Sequence, residues 1–136
     1  MKISIVTVTY NSANTIACTI ESVLKQKYED YEYIVVDGGS KDATVDIIKE
    51  WEPKFSGRMR WISEKDKGMY DGINKGIRMS TGDVVGIINS DDFYHREDIF
   101  QIINDAFKAH KGIEAIYGDV LLENPNNMNK TVIYYK

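Results

Sequence analysis

The amino-acid sequence predicts an α/β fold: a Rossmann-like, mainly parallel sheet flanked by helices. Three observations carry this. Short β-branched runs alternate with stretches whose apolar residues recur at helical spacing. Three of the runs end abruptly in polar clusters, Thr9-Tyr10-Asn11, Asp37-Gly38-Gly39-Ser40 and Asn89-Ser90-Asp91-Asp92. The spacing between runs leaves room for a helix each time, which implies right-handed crossovers between parallel strands. No internal repeat or linker interrupts the pattern, so residues 1–136 read as one domain. The last strand candidate runs into the C-terminus, and the fold is expected to be a truncated part of a larger unit.

Ile3 to Val8 is rich in β-branched residues and reads as the first strand. Thr9-Tyr10-Asn11-Ser12 breaks it, and Asn14 or Ser12 is placed to cap the following helix. In that helix Ile16, Ala17, Ile20, Val23 and Leu24 share an arc of about 120°. Cys18 falls outside the arc, off the main core. Tyr31 to Val36 is the second strand, running into the turn cluster Asp37 to Asp42. Thr44 to Trp51 is the next helix, ended by Pro53, and Arg58 to Ser63 is a shorter third strand. The charged loop Glu64-Lys65-Asp66-Lys67-Gly68 leads into a helix from Met69 to Met79, with Met69, Tyr70, Ile73, Gly76 and Ile77 on one face.

Asp83-Val84-Val85-Gly86-Ile87-Ile88 fits a strand buried on both faces. A helix from Arg96 to His110 then buries Ile99, Ile102, Ile103, Ala106 and Phe107, with Lys111-Gly112 as its C-cap. Glu114 to Leu122 and Lys130 to Tyr135 read as strands around Asn124-Pro125-Asn126-Asn127, a hairpin-like pair that makes the far side of the sheet mixed.

The composition is that of a globular domain, 43% hydrophobic and 28% charged. A formal charge of -4 and a pI near 5.2 argue against a nucleic-acid partner. They leave room for an anionic small ligand, because a metal ion or a helix N-terminus supplies positive charge locally. One cysteine excludes an internal disulfide and fits a reducing compartment. The N-terminal stretch is too short and too interrupted by hydroxyls for a signal peptide, and no apolar run approaches the roughly 20 residues of a spanning helix. The default location is therefore cytoplasmic, with peripheral attachment at the inner face of the membrane left open.

Parallel strands bring their C-terminal tips together, so the three polar clusters converge on the edge where open α/β sheets bind ligands. Asp91 and Asp92 are adjacent carboxylates that repel each other, and a bound divalent cation makes both tolerable. The competing reading is a solvated turn with an N-cap for the next helix.

At these residues the sequence resembles the family-2 inverting glycosyltransferases, which have the nucleotide-sugar-binding, Rossmann-like GT-A fold. The resemblance rests on Ile3 to Asn11, Ile20 to Gln26, Val35 to Thr44, Glu64 to Gly76, Thr81-Gly82-Asp83 and Asn89 to Asp92, in the family's order. It implies a hexosyltransferase-type enzyme that moves a sugar from a nucleotide-diphosphate sugar to an acceptor hydroxyl with inversion. The acceptor would be a glycan or a lipid-linked chain, in cell-surface polysaccharide or glycan synthesis.

By the same resemblance Asp92 ligates Mn²⁺ or Mg²⁺, with Asp91 on the ribose or a metal-bound water. The metal acts as a Lewis acid on the leaving diphosphate. Thr9, Tyr10 and Asn11 lie against the nucleotide, Tyr10 as a stacking ring or a ring packed at the sheet's rim. Asp37 matches an acid that helps read base or ribose, but Gly38 stands where the commoner family form has a second acid. Asp66, Gly68 and Asn74 match the loop and helix near the diphosphate, with Lys65 and Lys67 as charge-neutralising candidates or as solvated loop residues. Asn74 sits about 40° outside the apolar arc of its helix.

His95 follows the metal motif but stands in what reads as a helix start, and His110 reads as a helix C-terminal residue favoured by the dipole. Inverting transfer needs a general base. The family's base stands well downstream of the metal motif, and neither Asp119 nor Glu123 matches that element, so no base is assigned. The resemblance thus implies the donor-binding half of a transferase. The alternative from another class is a non-catalytic nucleotide-binding or signalling module on a similar sheet. A phosphoacceptor receiver would want acids just after the first strand, and a dinucleotide-binding dehydrogenase would want Gly-x-Gly-x-x-Gly there; Thr9-Tyr10-Asn11 supplies neither.

Overall fold

The computed structural model describes residues 1–118 in full, and residues 120–124 and 127–135 by their backbone. The chain divides into two compact units, Met1–Asn104 and Asp105–Lys136. In the first, β1 (Ile3–Thr9), β2 (Tyr31–Asp37), β3 (Met59–Ser63) and β4 (Val84–Ile87) form a parallel sheet in the order β3-β2-β1-β4. Helices α1 (Ile16–Leu24), α2 (Thr44–Trp51) and α3 (Met69–Met79) make the crossovers, and α4 (Ile99–Ala109) follows β4. The sequence alternation thus gives the fold class it predicts.

Each face of the sheet has its own cover. Ile3, Ile5, Tyr31, Tyr33 and Val35 pack with Ile16, Ile20 and Val23 of α1, Ile48 of α2 and Phe100 of α4. Val6, Ile34 and Val36 form a second cluster on the other face, with Val8, Ile62 and Met79 against it. Burial from both sides explains why β2 is buried at every position. Cys18 is exposed, as its place outside the α1 arc predicts.

α3 packs differently from the expectation. Its buried residues are Gly72 and Gly76, while Met69, Tyr70 and Ile77 are exposed. A Cβ at Gly76 would lie 2.3 Å from Val6 Cγ1, and one at Gly72 would lie 2.6 Å from Val8 Cγ1. The two glycines, one turn apart, let the helix backbone lie directly on β1. Of the expected face only Gly76 is buried, and the seam is shifted toward Gly72, because close approach and not side-chain bulk sets this contact.

Four further expectations are corrected. β4 is not buried on both faces: Val85 and Ile87 are exposed, and among the described residues of its unit β4 pairs only with β1. The late strands do not extend this sheet. β5 (Val120–Asn124) and β6 (Asn127–Tyr135) pair antiparallel as a two-stranded sheet of their own; Pro125 and Asn126 lie outside the described residues. α4 starts at Ile99 and turns Phe100 and Asn104 inward, leaving Ile102 exposed. Neither Asn14 nor Ser12 caps α1, whose N-cap position is Thr15 with no side-chain cap bond. α2 ends at Trp51 ahead of Pro53, as expected, and Pro53 sits at the start of a separate 3₁₀ turn, Glu52–Phe55, where its missing N–H costs nothing. Gly112, at φ 90°, does take the left-handed conformation expected past the end of α4.

At the strand starts Glu32 is buried on the α3 face, at 6% exposure. It accepts hydrogen bonds from Ser4 Oγ (2.6 Å), Thr81 N (2.6 Å), Thr81 Oγ1 (3.0 Å) and Arg60 Nη2 (2.9 Å). Lys2 Nζ stands 3.5 Å away. Burial pushes its carboxyl up, but the bonds from Ser4, Thr81 and Arg60 outweigh it and hold the carboxyl down at about 2. One carboxylate so ties β1, β2, β3 and the turn after α3, all at the edge opposite the strand tips.

Candidate functional site

The strand order reverses between β1 and β4, and ligands of open α/β sheets bind beyond the C-terminal strand ends at such a reversal. Side chains from the three loops bond to one another there. Asn11 adopts φ 49°, a left-handed conformation that asparagine tolerates. Its amide donates to Ser40 Oγ and its Oδ1 accepts from Lys41 N, both at 2.8 Å. Ser12 N donates to Thr44 Oγ1 (2.9 Å), and Ser12 Oγ lies 2.9 Å from Ser90 Oγ, joining the loops after β1 and β4. Thr9 is 2% exposed, and its Oγ1 has no hydrogen-bond partner among the described residues. Tyr10 is 55% exposed, which leaves much of its side chain open.

Asp37 is fully buried. Its Oδ2 accepts from Gly39 N, Ser40 N and Ser63 Oγ, and its Oδ1 accepts from Ser40 Oγ. This carboxylate organises its own loop and ties it to Ser63 at the end of β3. The glycine beside it has a steric explanation. A Cβ on Gly38 would lie 2.8 Å from Asp66 Oδ2. The Asp66 carboxylate fills the space above residue 38 and also comes within 3.3 Å of where a Cβ on Gly72 would stand.

The loop that delivers Asp66 is tied to α3. Asp66 Oδ1 accepts from Gly68 N (3.0 Å), Gly68 turns at φ 112°, and Lys67 N donates to Asp71 Oδ2 (2.9 Å). That last bond holds the Asp71 carboxyl below its usual range. Lys75 Nζ reaches Glu64 (3.1 Å), Asp71 (3.6 Å) and the Lys65 carbonyl (3.5 Å), and the Glu64 bond raises its pKa. Lys65 and Lys67 are themselves exposed. The sequence reading named those two lysines and missed Lys75, whose only sequence signal is its spacing four residues after Asp71. Asn74 is exposed, on the side of α3 turned away from the Gly72–Gly76 seam.

Asp91 and Asp92 are both exposed. Asp92 N donates to the Asn89 carbonyl (3.1 Å) and Asn89 Nδ2 donates to Asp92 Oδ2 (3.2 Å), closing a tight turn. The helix-cap alternative for these acids does not hold, because α4 begins only at Ile99. Among the described residues no group of three or more His, Cys, Asp or Glu side chains converges. The pair of hard-oxygen carboxylates still fits a cation whose remaining positions are filled by a bound diphosphate and water. His95 and His110 are exposed, and Asp119 and Glu123 lie outside the residues whose side chains are described.

This architecture is that of the GT-A glycosyltransferases. The sequence profile of glycosyl transferase family 2 matches residues 4–128, and the chain belongs to that family. It is 30% identical over 123 residues to a PGL/p-HBAD biosynthesis glycosyltransferase of Mycobacterium bovis, covering 90% of this chain and 48% of that protein. The chain thus spans about half the length of the curated relatives it matches. Among solved structures it is similar to S. aureus TarS 1–349 in complex with UDP-GlcNAc, with a TM-score of 0.72 and 25% identity over 81% of this chain and 32% of that one. It also shares its fold with a mannosyltransferase from Pyrobaculum calidifontis in complex with GDP-Man and Mn²⁺, at a TM-score of 0.73 and 20% identity, covering 93% of this chain and 37% of that one. No helix among the described residues is long and apolar enough to cross a membrane.

Proposed function

We propose that this chain is the donor-binding part of an inverting glycosyltransferase, which passes a sugar from a nucleotide-diphosphate sugar to an acceptor hydroxyl with the help of Mn²⁺ or Mg²⁺. The acceptor is a glycan or a lipid-linked chain in cell-surface polysaccharide or glycan synthesis, met in the cytoplasm or at the inner face of the membrane. One observation carries the reading: the loops after β1, β2 and β4 are bonded together at the strand-order reversal, with the exposed Asp91–Asp92 pair at its rim. The complex of TarS with UDP-GlcNAc supports the donor class.

Each residue has a part in this proposal. Asp92 is the direct ligand of the cation, and Asp91 takes the ribose or a metal-bound water. The cation, when bound, supplies Lewis-acid stabilisation of the departing diphosphate. Tyr10 offers its open ring to the base, and the buried, unpartnered Thr9 hydroxyl offers a hydrogen bond that the protein leaves unused. Asn11 and Asp37 hold the loops that frame the nucleotide. Asp66 Oδ2 takes no hydrogen bond among the described residues and is free to accept one from the ligand. Gly68 opens α3, whose N-terminal amides favour the diphosphate's negative charge. Asn74, on the outer side of α3, contributes only if the donor reaches around the helix end. Deprotonating the acceptor hydroxyl is assigned to none of the described residues.

The test is calorimetric titration with UDP-, GDP- and dTDP-sugars, each with and without Mn²⁺. Metal-dependent binding of one donor class, lost in Asp92→Ala, supports the proposal. Absence of binding by every donor at millimolar concentration with Mn²⁺ refutes it.

A further inference from the structure

Thr19 and Ser22 of α1 and Gln26, just past its end, form one polar stripe. All three are buried, at 0%, 8% and 5% exposure. Buried polar groups need partners, and besides bonds to the carbonyls of Thr19 and Ser22 on their own helix these find them in a single segment, residues 89–100. Thr19 Oγ1 donates to the Asp92 carbonyl at 2.5 Å and stands 3.5 Å from the Asn89 carbonyl. Ser22 Oγ donates to the Thr19 carbonyl at 2.8 Å and accepts from Tyr94 N at 3.1 Å. Gln26 Nε2 donates to the Arg96 carbonyl at 2.6 Å, and its Oε1 accepts from Phe100 N at 3.2 Å.

The segment needs this help. Between Ile87 and Ile99 it has neither helix nor strand, so beyond the Asp92 N bond to the Asn89 carbonyl its buried backbone groups draw on partners outside it. Of the three side chains, only Thr19 reaches the turn that carries the exposed carboxylates. Its hydroxyl bonds the Asp92 carbonyl at the end of the turn and stands 3.5 Å from the Asn89 carbonyl at its start, while the Asn89 amide holds Asp92 Oδ2.

We propose that Thr19 is a positioning residue for the Asp91–Asp92 pair, holding the turn so that its carboxylates are preset for a divalent cation. The inference rests on the donor-site reading above. Ser22 and Gln26 apply the same device further along the segment, at Tyr94, Arg96 and Phe100, and so serve as internal controls.

Thr19→Val removes the hydroxyl at nearly constant volume, and Thr19→Ser keeps it. The probes are Mn²⁺ titrated in the presence of UDP or GDP, and each nucleotide titrated without metal. Thr19→Val is expected to raise the Mn²⁺ midpoint about fivefold, in keeping with the loss of one buried hydrogen bond. Thr19→Ser should stay near wild type, and metal-free nucleotide affinity should change by clearly less than the Mn²⁺ midpoint in either variant. Gln26→Leu should lower thermal stability while leaving the Mn²⁺ midpoint in place. Without any ligand, amide exchange at Asp92 should quicken in Thr19→Val and not in Thr19→Ser.

An unchanged Mn²⁺ midpoint in Thr19→Val overturns the proposal, even if Asp92 exchange quickens, since the hydroxyl then serves the scaffold alone. Equal weakening with and without metal overturns it too, as does failure of serine to restore the midpoint. If the wild-type chain binds neither nucleotide with Mn²⁺, the donor-site reading falls and takes this inference with it. That outcome is recognised in the wild type, before any variant is compared.

Discussion

Glu32→Gln tests the network at the strand starts, and its effect can be worked from the structure. The carboxyl is held down at about 2 against an ordinary value of 4.5. At 1.36 kcal/mol per pKa unit, this shift corresponds to about 3 kcal/mol of folded-state stabilisation. Glu32 is nearly enclosed, but Arg60 and Lys2 are 45% and 39% exposed, so solvent screening makes that figure an upper value. The sign follows from a depressed folded-state pKa. The contribution is fully present above about pH 4.5 and is lost as pH falls toward about 2. Glutamine keeps the shape and cannot ionise, so it removes this pH dependence along with the stability. Urea unfolding of both proteins from pH 7 to pH 2 is the assay. Wild type should exceed the variant by about 2–3 kcal/mol at pH 7, and the gap should close between pH 4.5 and 2. Parallel loss of stability in the two proteins across that window would refute the argument. Nucleotide affinity at pH 7 should be the same in both, because the network lies at the edge opposite the site.

Three further outcomes follow from the same geometry. Gly76→Ala should destabilise the protein by about 2 kcal/mol or more in thermal or urea unfolding, since its Cβ would stand 2.3 Å from Val6 Cγ1 in the sheet. Gly38→Ala should push the Asp66 carboxylate aside, lowering nucleotide affinity by about an order of magnitude with little change in melting temperature. Lys75→Met should free the Glu64–Lys67 loop, which hydrogen exchange reads as faster exchange at the Lys67 and Gly68 amides while the β1 and β2 amides keep their protection.

Much of the fold is legible in the sequence, because burial imposes a period on each element. The helices from Thr44 to Trp51 and from Met69 to Met79 stand where periodicity puts them, and the three strands that end in polar clusters are all present. What periodicity misreads is what it cannot weigh. It puts Met69, Tyr70 and Ile77 on the core face beside Gly76 and leaves Gly72 out, although the two glycines are what allow the close contact with β1. It reads the run from Asp83 to Ile88 as buried from its two valines and two isoleucines, without information on whether a neighbour lies beyond β4. For the candidate site, the sequence supplies the acids, the glycines and their order. It does not show that Asp37 braces its own loop against Ser63 of β3, nor that Thr19 bonds the Asp92 turn, because that last bond joins residues 73 positions apart.

By itself, then, the sequence determined the α/β class, the family and the residue types at the strand tips, since each depends on local pattern and short motifs. The tertiary structure alone decided which of those side chains remain free. Asp37 and Asp66 are both acids at loops near the strand tips. One is enclosed by four donors, while the other is wedged between two glycines with an oxygen to spare. That difference arises from groups far apart in the chain meeting at one place, and hydrogen-bonding capacity, once used, is not available to a ligand.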